Sequence, residues 1–142
     1  MSVPAGKRNE QKLTVLTKAR GLCDYTLTIC SNENQFPKRQ RWTLTNRIVD
    51  ASLNLMECIR KANTIQVVRE CDFLRRREYQ QKAMEHAEWM LTLIDLAKTH
   101  FSLESKRVEY WTGLVLELET ILSAWRSSDR NAWEKKQKQK TE

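Results

Sequence analysis

The chain has 142 residues, enough for one ordinary domain and too few for a multidomain enzyme. Only 3 Gly and 2 Pro accompany 40% hydrophobic and 30% charged residues, too few turn formers for a many-stranded β-fold and too apolar for a disordered chain. Twenty-five bases against 18 acids leave a net charge of +7, which makes polyanions natural partners once the charge is located in space.

Helix one is expected to carry Leu13, Leu16, Cys23, Leu27 and Cys30, with Gly21 weakening it by about 1 kcal/mol relative to Ala. Residues 31–37, SNENQFP, break it, and Pro37 suits the first position of helix two. Helix two has the clearest pattern: Leu44, Ile48, Ala51, Leu55, Cys58, Ala62 and Ile65 fall on one helical face. Asn63 and Thr64 can close it. Helix three places Tyr79, Ala83, His86, Met90, Leu93 and Ala97 in one stripe and is expected to stop near His100, with His86 a satisfied core histidine. Ser102 is the expected N-cap of helix four, with Glu104 in its first turn and Val108, Trp111, Val115, Leu118, Leu122 and Trp125 on its apolar face. Beyond this, residues 129–142 hold a single large apolar residue, Trp133, and read as a frayed, flexible basic tail to a 1–128 domain.

Four long helices with short connections pack most simply as an antiparallel up-down-up-down four-helix bundle. That order would gather the basic segments at one pole. Lys7, Arg8, Lys12, Arg60, Lys61, Arg69, Arg75, Arg76, Arg77, Arg126, Arg130, Lys135, Lys136, Lys138 and Lys140 would meet there, with Glu70, Asp72, Glu78 and Glu134 interspersed. Phosphate backbones suit such a cluster, and replacing Arg75, Arg76 and Arg77 together by Ala is expected to weaken RNA and DNA binding with the bundle intact. A solvated charged surface, or a face that recognises an acidic protein, is the competing reading. At the other pole Lys38, Arg39 and Arg41 form a possible anion site at the start of helix two, unless Glu33 or Glu104 neutralises them; Trp42 beside them reads as packing or as a base-stacking platform.

Helix four also carries Tyr110, Leu114, Leu116, Ile121 and Ala124 outside its main stripe, a wider apolar arc than one small core covers. This points to self-association, with Tyr110, Leu114, Ile121 and Trp125 as interface candidates. A thicker core is the alternative.

No catalytic set is visible. The residues three before His86 and His100 are Ala83 and Ala97, so the Glu-x-x-His pairs of a di-iron bundle are missing, and the three glycines are isolated, so no phosphate loop exists. Cys23 and Cys30 lie about 10.5 Å apart in helical rise, beyond disulfide reach, and Cys58 and Cys71 lack zinc-ligand spacing. The expected protein is non-enzymatic, with neither metal nor cofactor. It has no run of about 18 apolar residues and no apolar signal core near its start, which predicts a cytoplasmic protein away from membranes.

Phe36-Pro37-Lys38 before helix two, Leu96-Ala97 late in helix three, Ser102 at the next helix start, and Glu117 followed by Ile121, Leu122 and Trp125 occur in a telling order. Together the segments at 36–63 and 93–128 resemble the accessory variability determinant (Avd) family of diversity-generating retroelements, a likeness that loosely spans residues 10–128. The related intervening-sequence bundle proteins, encoded within ribosomal RNA genes, share the Phe-Pro motif. The resemblance implies a pentameric barrel of four-helix bundles that binds RNA or DNA and associates with a reverse transcriptase, assisting cDNA synthesis from a template RNA during mutagenic retrohoming. Glu119 and Ser123 stand where the family often has glycine. The alternative is a structural protein–protein adaptor of the intervening-sequence type.

Overall fold

The computed structural model describes residues 5–141, with the side chains of 5–11 and 13 left aside. It contains four long helices, α1 (Ala5–Cys30), α2 (Asn46–Thr64), α3 (Glu70–His100) and α4 (Ser105–Thr141), and no strand among the described residues. α2 packs on α3, α1 on α2 and on α4, and α3 on α4, so each helix has two helical neighbours around a shared core. No helix among the described residues is long and apolar enough to cross a membrane.

Local chemistry accounts for the helix ends. α3 begins with acids in its first turn, where the helix dipole favours them. Asp72 Oδ2 accepts hydrogen bonds from the backbone N–H of Arg69 at 3.0 Å and of Val68 at 3.3 Å. Those bonds hold the Asp72 carboxyl below the usual carboxylate range, the Arg69 amide contributing most. α2 closes at Thr64 as expected, with Ile65 extended and its N–H on the Ala62 carbonyl. α3 ends at His100, with the Phe101 amide on the Ala97 carbonyl at 2.8 Å.

Two helix starts differ from the expectation. Pro37 is followed by a 3-10 turn over Lys38–Gln40 and a π-helical turn over Arg41–Thr45, and regular α-helix begins only at Asn46. Ser102 is not the N-cap of α4: the first turn closes on the Glu104 carbonyl, which accepts from the amides of Arg107 and Val108. The Phe-Pro motif has a packing role. Phe36 is buried and meets Phe101 and Trp111 edge-on at centroid distances of 5.6 and 6.0 Å, so the 31–37 connection is plugged into the core by its last aromatic.

The expected faces of α2 and α4 are the faces that pack: Ile48, Ala51, Leu55, Cys58 and Ala62, and Val108, Trp111, Val115, Leu118, Leu122 and Trp125, are all buried. Trp111 is completely enclosed, its indole Nε1 donating to Thr26 Oγ1 at 3.0 Å while that hydroxyl donates to the Leu22 carbonyl at 2.7 Å. α1 is rotated from its expected stripe. Val15, Ala19, Leu22, Cys23, Thr26 and Ile29 face inward, whereas Leu27 is exposed. On α3, Ala87 takes the core position and His86 is half-buried. All four cysteines are free thiols, and burial pushes the Cys30 thiol up to about 12.

The expected flexible tail is helical here. α4 continues without a break to Thr141 because Trp133 has a partner on another helix: its ring stacks on Phe73 of α3 at 5.1 Å with an interplanar angle of 11°. Lys136 Nζ lies 5.6 Å over the same indole and donates to the Val68 carbonyl at 3.1 Å.

Candidate nucleic-acid interface

Lys12 of α1, Asn63 and Thr64 of α2, Ile65, Gln66 and Val67 of the following connection, Phe73 and Arg76 of α3, and Asp129, Ala132, Trp133 and Lys136 of α4 line one cavity of about 650 Å³. These are the segments that carry the expected basic residues. The side chains of Lys7 and Arg8 lie outside the described residues.

The cations assigned to this region are not equivalent. Arg60, Lys61, Arg69, Arg75, Arg130 and Lys135 are exposed. Lys61 is paired with Glu57 at 2.7 Å, and Arg69 touches Asp72 at 3.8 Å. Arg60 and Arg75 make no ion pair among the described residues. Arg77, Arg126 and Lys136 are half-buried, and Lys138 and Lys140 are exposed near the end of α4.

Arg76 departs most from the expectation, since only 4% of its surface reaches solvent. Its Nε lies 2.8 Å from Asp129 Oδ2, its Nη1 donates to the Ile65 carbonyl at 3.2 Å, and its guanidinium sits 5.1 Å over the Trp125 ring. Gln80, also buried, donates from Nε2 to the same Asp129 oxygen at 2.8 Å. Burial lowers the Arg76 pKa and Asp129 opposes that shift. Arg76 is therefore a structural tie between the start of α3 and the end of α4, unavailable to phosphate. The triple replacement of Arg75, Arg76 and Arg77 consequently tests stability and charge together, contrary to the expectation that the bundle would stay intact.

Beside this tie, Arg77, Ser123, Arg126, Ser127 and Arg130 line a smaller cleft between α3 and α4. Arg77 Nη1 donates to the Arg126 carbonyl at 3.2 Å, and its guanidinium lies 5.4 Å over Phe73. Burial lowers the Arg77 pKa most, followed by the charges of Arg126 and Arg130, with Asp129 acting the other way.

The possible anion site at the start of helix two already holds an acid. Lys38 Nζ lies 3.4 Å and Arg41 Nη2 3.7 Å from Glu33 Oε1, while Arg39 is exposed. The 3-10 turn there also removes the α-helical N-terminus on which an anion was expected to sit. Glu104 pairs instead with Arg107 at 3.2 Å. Trp42 is 82% exposed and does not pack on the core.

Among the interface candidates, Trp125 is 1% exposed and belongs to the chain's own core, so it is no outward contact. Leu114 and Ile121 are half-buried against that core, and Tyr110 is exposed, touching Tyr25 edge-on at 5.0 Å. Leu116 of the expected wider arc is exposed, and Trp89 and Leu96 of α3 add exposed apolar surface that the helix-four pattern did not include.

Glu119, at one of the positions where the resembled family often has glycine, is a half-buried acid hydrogen-bonded to Glu88 of α3. Burial first, and then Glu88, pushes its carboxyl from 4.5 up to about 7. A carboxyl raised in the folded state contributes stability that is fully present below its unfolded pKa and is lost as pH rises through the folded one. Glu119→Gln is expected to gain melting temperature relative to the parent chain as the buffer goes from about pH 5 to about pH 8. A constant difference across that range would contradict this assignment.

Comparison with family models, with curated proteins and with solved structures finds no match for this chain.

Proposed function

We propose that the chain is a non-catalytic accessory protein that binds RNA or DNA through its basic pole. The observation that carries the reading is the single cavity shared by Lys12, the residues following α2, the first turns of α3 and the last turns of α4, with Arg60, Lys61, Arg69, Arg75, Arg130 and Lys135 exposed on those same segments. That shared lining also supports an antiparallel up-down-up-down order, because only alternating directions bring the start of α1 and α3 beside the end of α2 and α4. Concentrated cations repel one another, and a phosphate backbone relieves the repulsion while releasing counterions.

The resemblance to the Avd family supplies the finer role: a cytoplasmic, oligomeric assistant to a reverse transcriptase in mutagenic retrohoming, holding template RNA or cDNA near the polymerase, with a pentamer as the assembly. Exposed Tyr110 and Leu116 on α4 and Trp89 and Leu96 on α3 are apolar surface compatible with self-association. Light scattering during gel filtration should then report a particle several times the 16.8 kDa chain.

The deciding experiment measures binding of a fluorescent single-stranded RNA and DNA over a salt series. Affinity is expected to fall linearly on a double-logarithmic plot, with a slope that reflects several phosphate contacts. Absence of binding to either strand at low salt would end the nucleic-acid reading. Binding of an acidic protein in its place would establish the adaptor role. Co-purification with a reverse transcriptase encoded beside the chain tests the retroelement assignment separately.

A further inference from the structure

The cleft lined by Arg77, Ser123, Arg126, Ser127 and Arg130 has a volume of about 240 Å³. Its residues form two adjacent rows on α4, Ser123 and Ser127 one turn apart and Arg126 and Arg130 one turn apart, with Arg77 reaching across from α3. Arg77 is pinned through Nη1 to the Arg126 carbonyl and keeps its other N–H donors. Arg126 Nε is buried without a hydrogen-bond partner.

Two nearby acids are committed elsewhere, and no carboxylate is in the cleft lining. Asp129 accepts from Gln80 and pairs with Arg76 on the other side of its turn. Glu119, one turn before Ser123, is hydrogen-bonded to Glu88. None of Arg77, Arg126 and Arg130 forms a salt bridge among the described residues. Three guanidiniums and two hydroxyls thus converge with no carboxylate between them.

We infer that this cleft is a discrete oxyanion site taking one tetrahedral phosphate per chain, with Arg77, Arg126 and Arg130 supplying charge and Ser123 and Ser127 donating hydroxyl hydrogen bonds. Guanidinium forks match phosphate oxygens in pairs, and a charge-assisted bond is about twice as strong as a neutral one. The occupant is a backbone phosphate of a bound strand, an assignment that rests on the proposed function. Inorganic phosphate presents the same oxyanion chemistry.

Ser127→Asp tests the site without removing a packed side chain, because Ser127 is exposed and the introduced carboxylate occupies the cleft as an internal anion. Arg126→Gln with Arg130→Gln is the second variant, and Arg47→Gln, at an exposed position of α2 outside the basic pole, is the control. Each full-length chain is assayed for RNA binding by fluorescence anisotropy and for inorganic phosphate binding by calorimetry, with circular dichroism confirming the helical content. Ser127→Asp and the double variant are expected to weaken RNA binding by about tenfold to a hundredfold and to lower the salt slope by about one unit or more, and Arg47→Gln to leave phosphate binding unchanged. If the parent chain binds RNA and both cleft variants bind it equally well, the site is overturned while the proposed function stands. If the parent binds phosphate but no RNA, and Ser127→Asp abolishes phosphate binding, the oxyanion site stands and the nucleic-acid function falls.

Discussion

Arg76→Ala is expected to destabilise the fold by about 3–5 kcal/mol, because it leaves the Asp129 carboxylate largely buried with its cationic partner gone. The side chains of Arg76 and Asp129 are 5% and 10% exposed, so water cannot replace the lost guanidinium cheaply. The substitution also frees the Ile65 carbonyl and uncovers the Trp125 ring. Arg75→Ala, one residue away on the exposed side, is expected to change stability by less than about 0.5 kcal/mol. Equilibrium urea unfolding of both variants measures the contrast. Combining Arg76→Met with Asp129→Asn should recover much of the loss, since it removes both charges of the buried pair while the amide oxygen at 129 still accepts from Gln80. Equal unfolding midpoints for Arg76→Ala and the parent chain would show that the pair is not structural.

Trp111→Ala carries the second large effect, also about 3–5 kcal/mol, from lost burial and the cavity left at the meeting of Tyr25, Phe36 and Trp111. Trp111→Phe is expected to cost less. It keeps much of the volume but removes the indole N–H on Thr26, a hydrogen bond of about 1 kcal/mol. Thr26 still donates to the Leu22 carbonyl, so its hydroxyl is not left wholly unpaired. The order of denaturant midpoints, parent above Phe above Ala, checks the assignment. An unfolding free energy for Trp111→Ala within about 1 kcal/mol of the parent would mean that this end of the core collapses to fill the space.

These predictions rest on features that differ in how visible they are in the sequence. The apolar faces of α2 and α4 and the close of α2 at Thr64 follow from residue spacing and local helix-stop chemistry, which a linear chain displays directly. The stripe of α1 was less regular, and its inward face includes Ala19, Cys23 and Thr26, small or polar residues that spacing of large apolar side chains does not select. The Phe36-Pro37 break was legible, but its 3-10 and π-helical sequel was not, because the edge contacts of Phe36 with Phe101 and Trp111 help fix where the chain enters α2.

The candidate site shows the same division more sharply. Charge counts located the basic segments, but residue type alone assigns every arginine to the surface. Arg76 is buried because Asp129, 53 positions later, comes within 2.8 Å of it. Trp133 is a lone large apolar residue in its basic segment, and its partner Phe73 lies 60 positions earlier.

By itself the sequence determined four helices, the ends of the first three and the positions of the basic segments, because periodicity and turn chemistry act between neighbours along the chain. The tertiary structure alone decided which arginines are ties and which face solvent, that Glu33 meets the cations of the 3-10 turn, and that Arg77, Arg126 and Arg130 share a cleft with two hydroxyls. Desolvation and ion pairing act between atoms close in space, and helix packing chooses those neighbours.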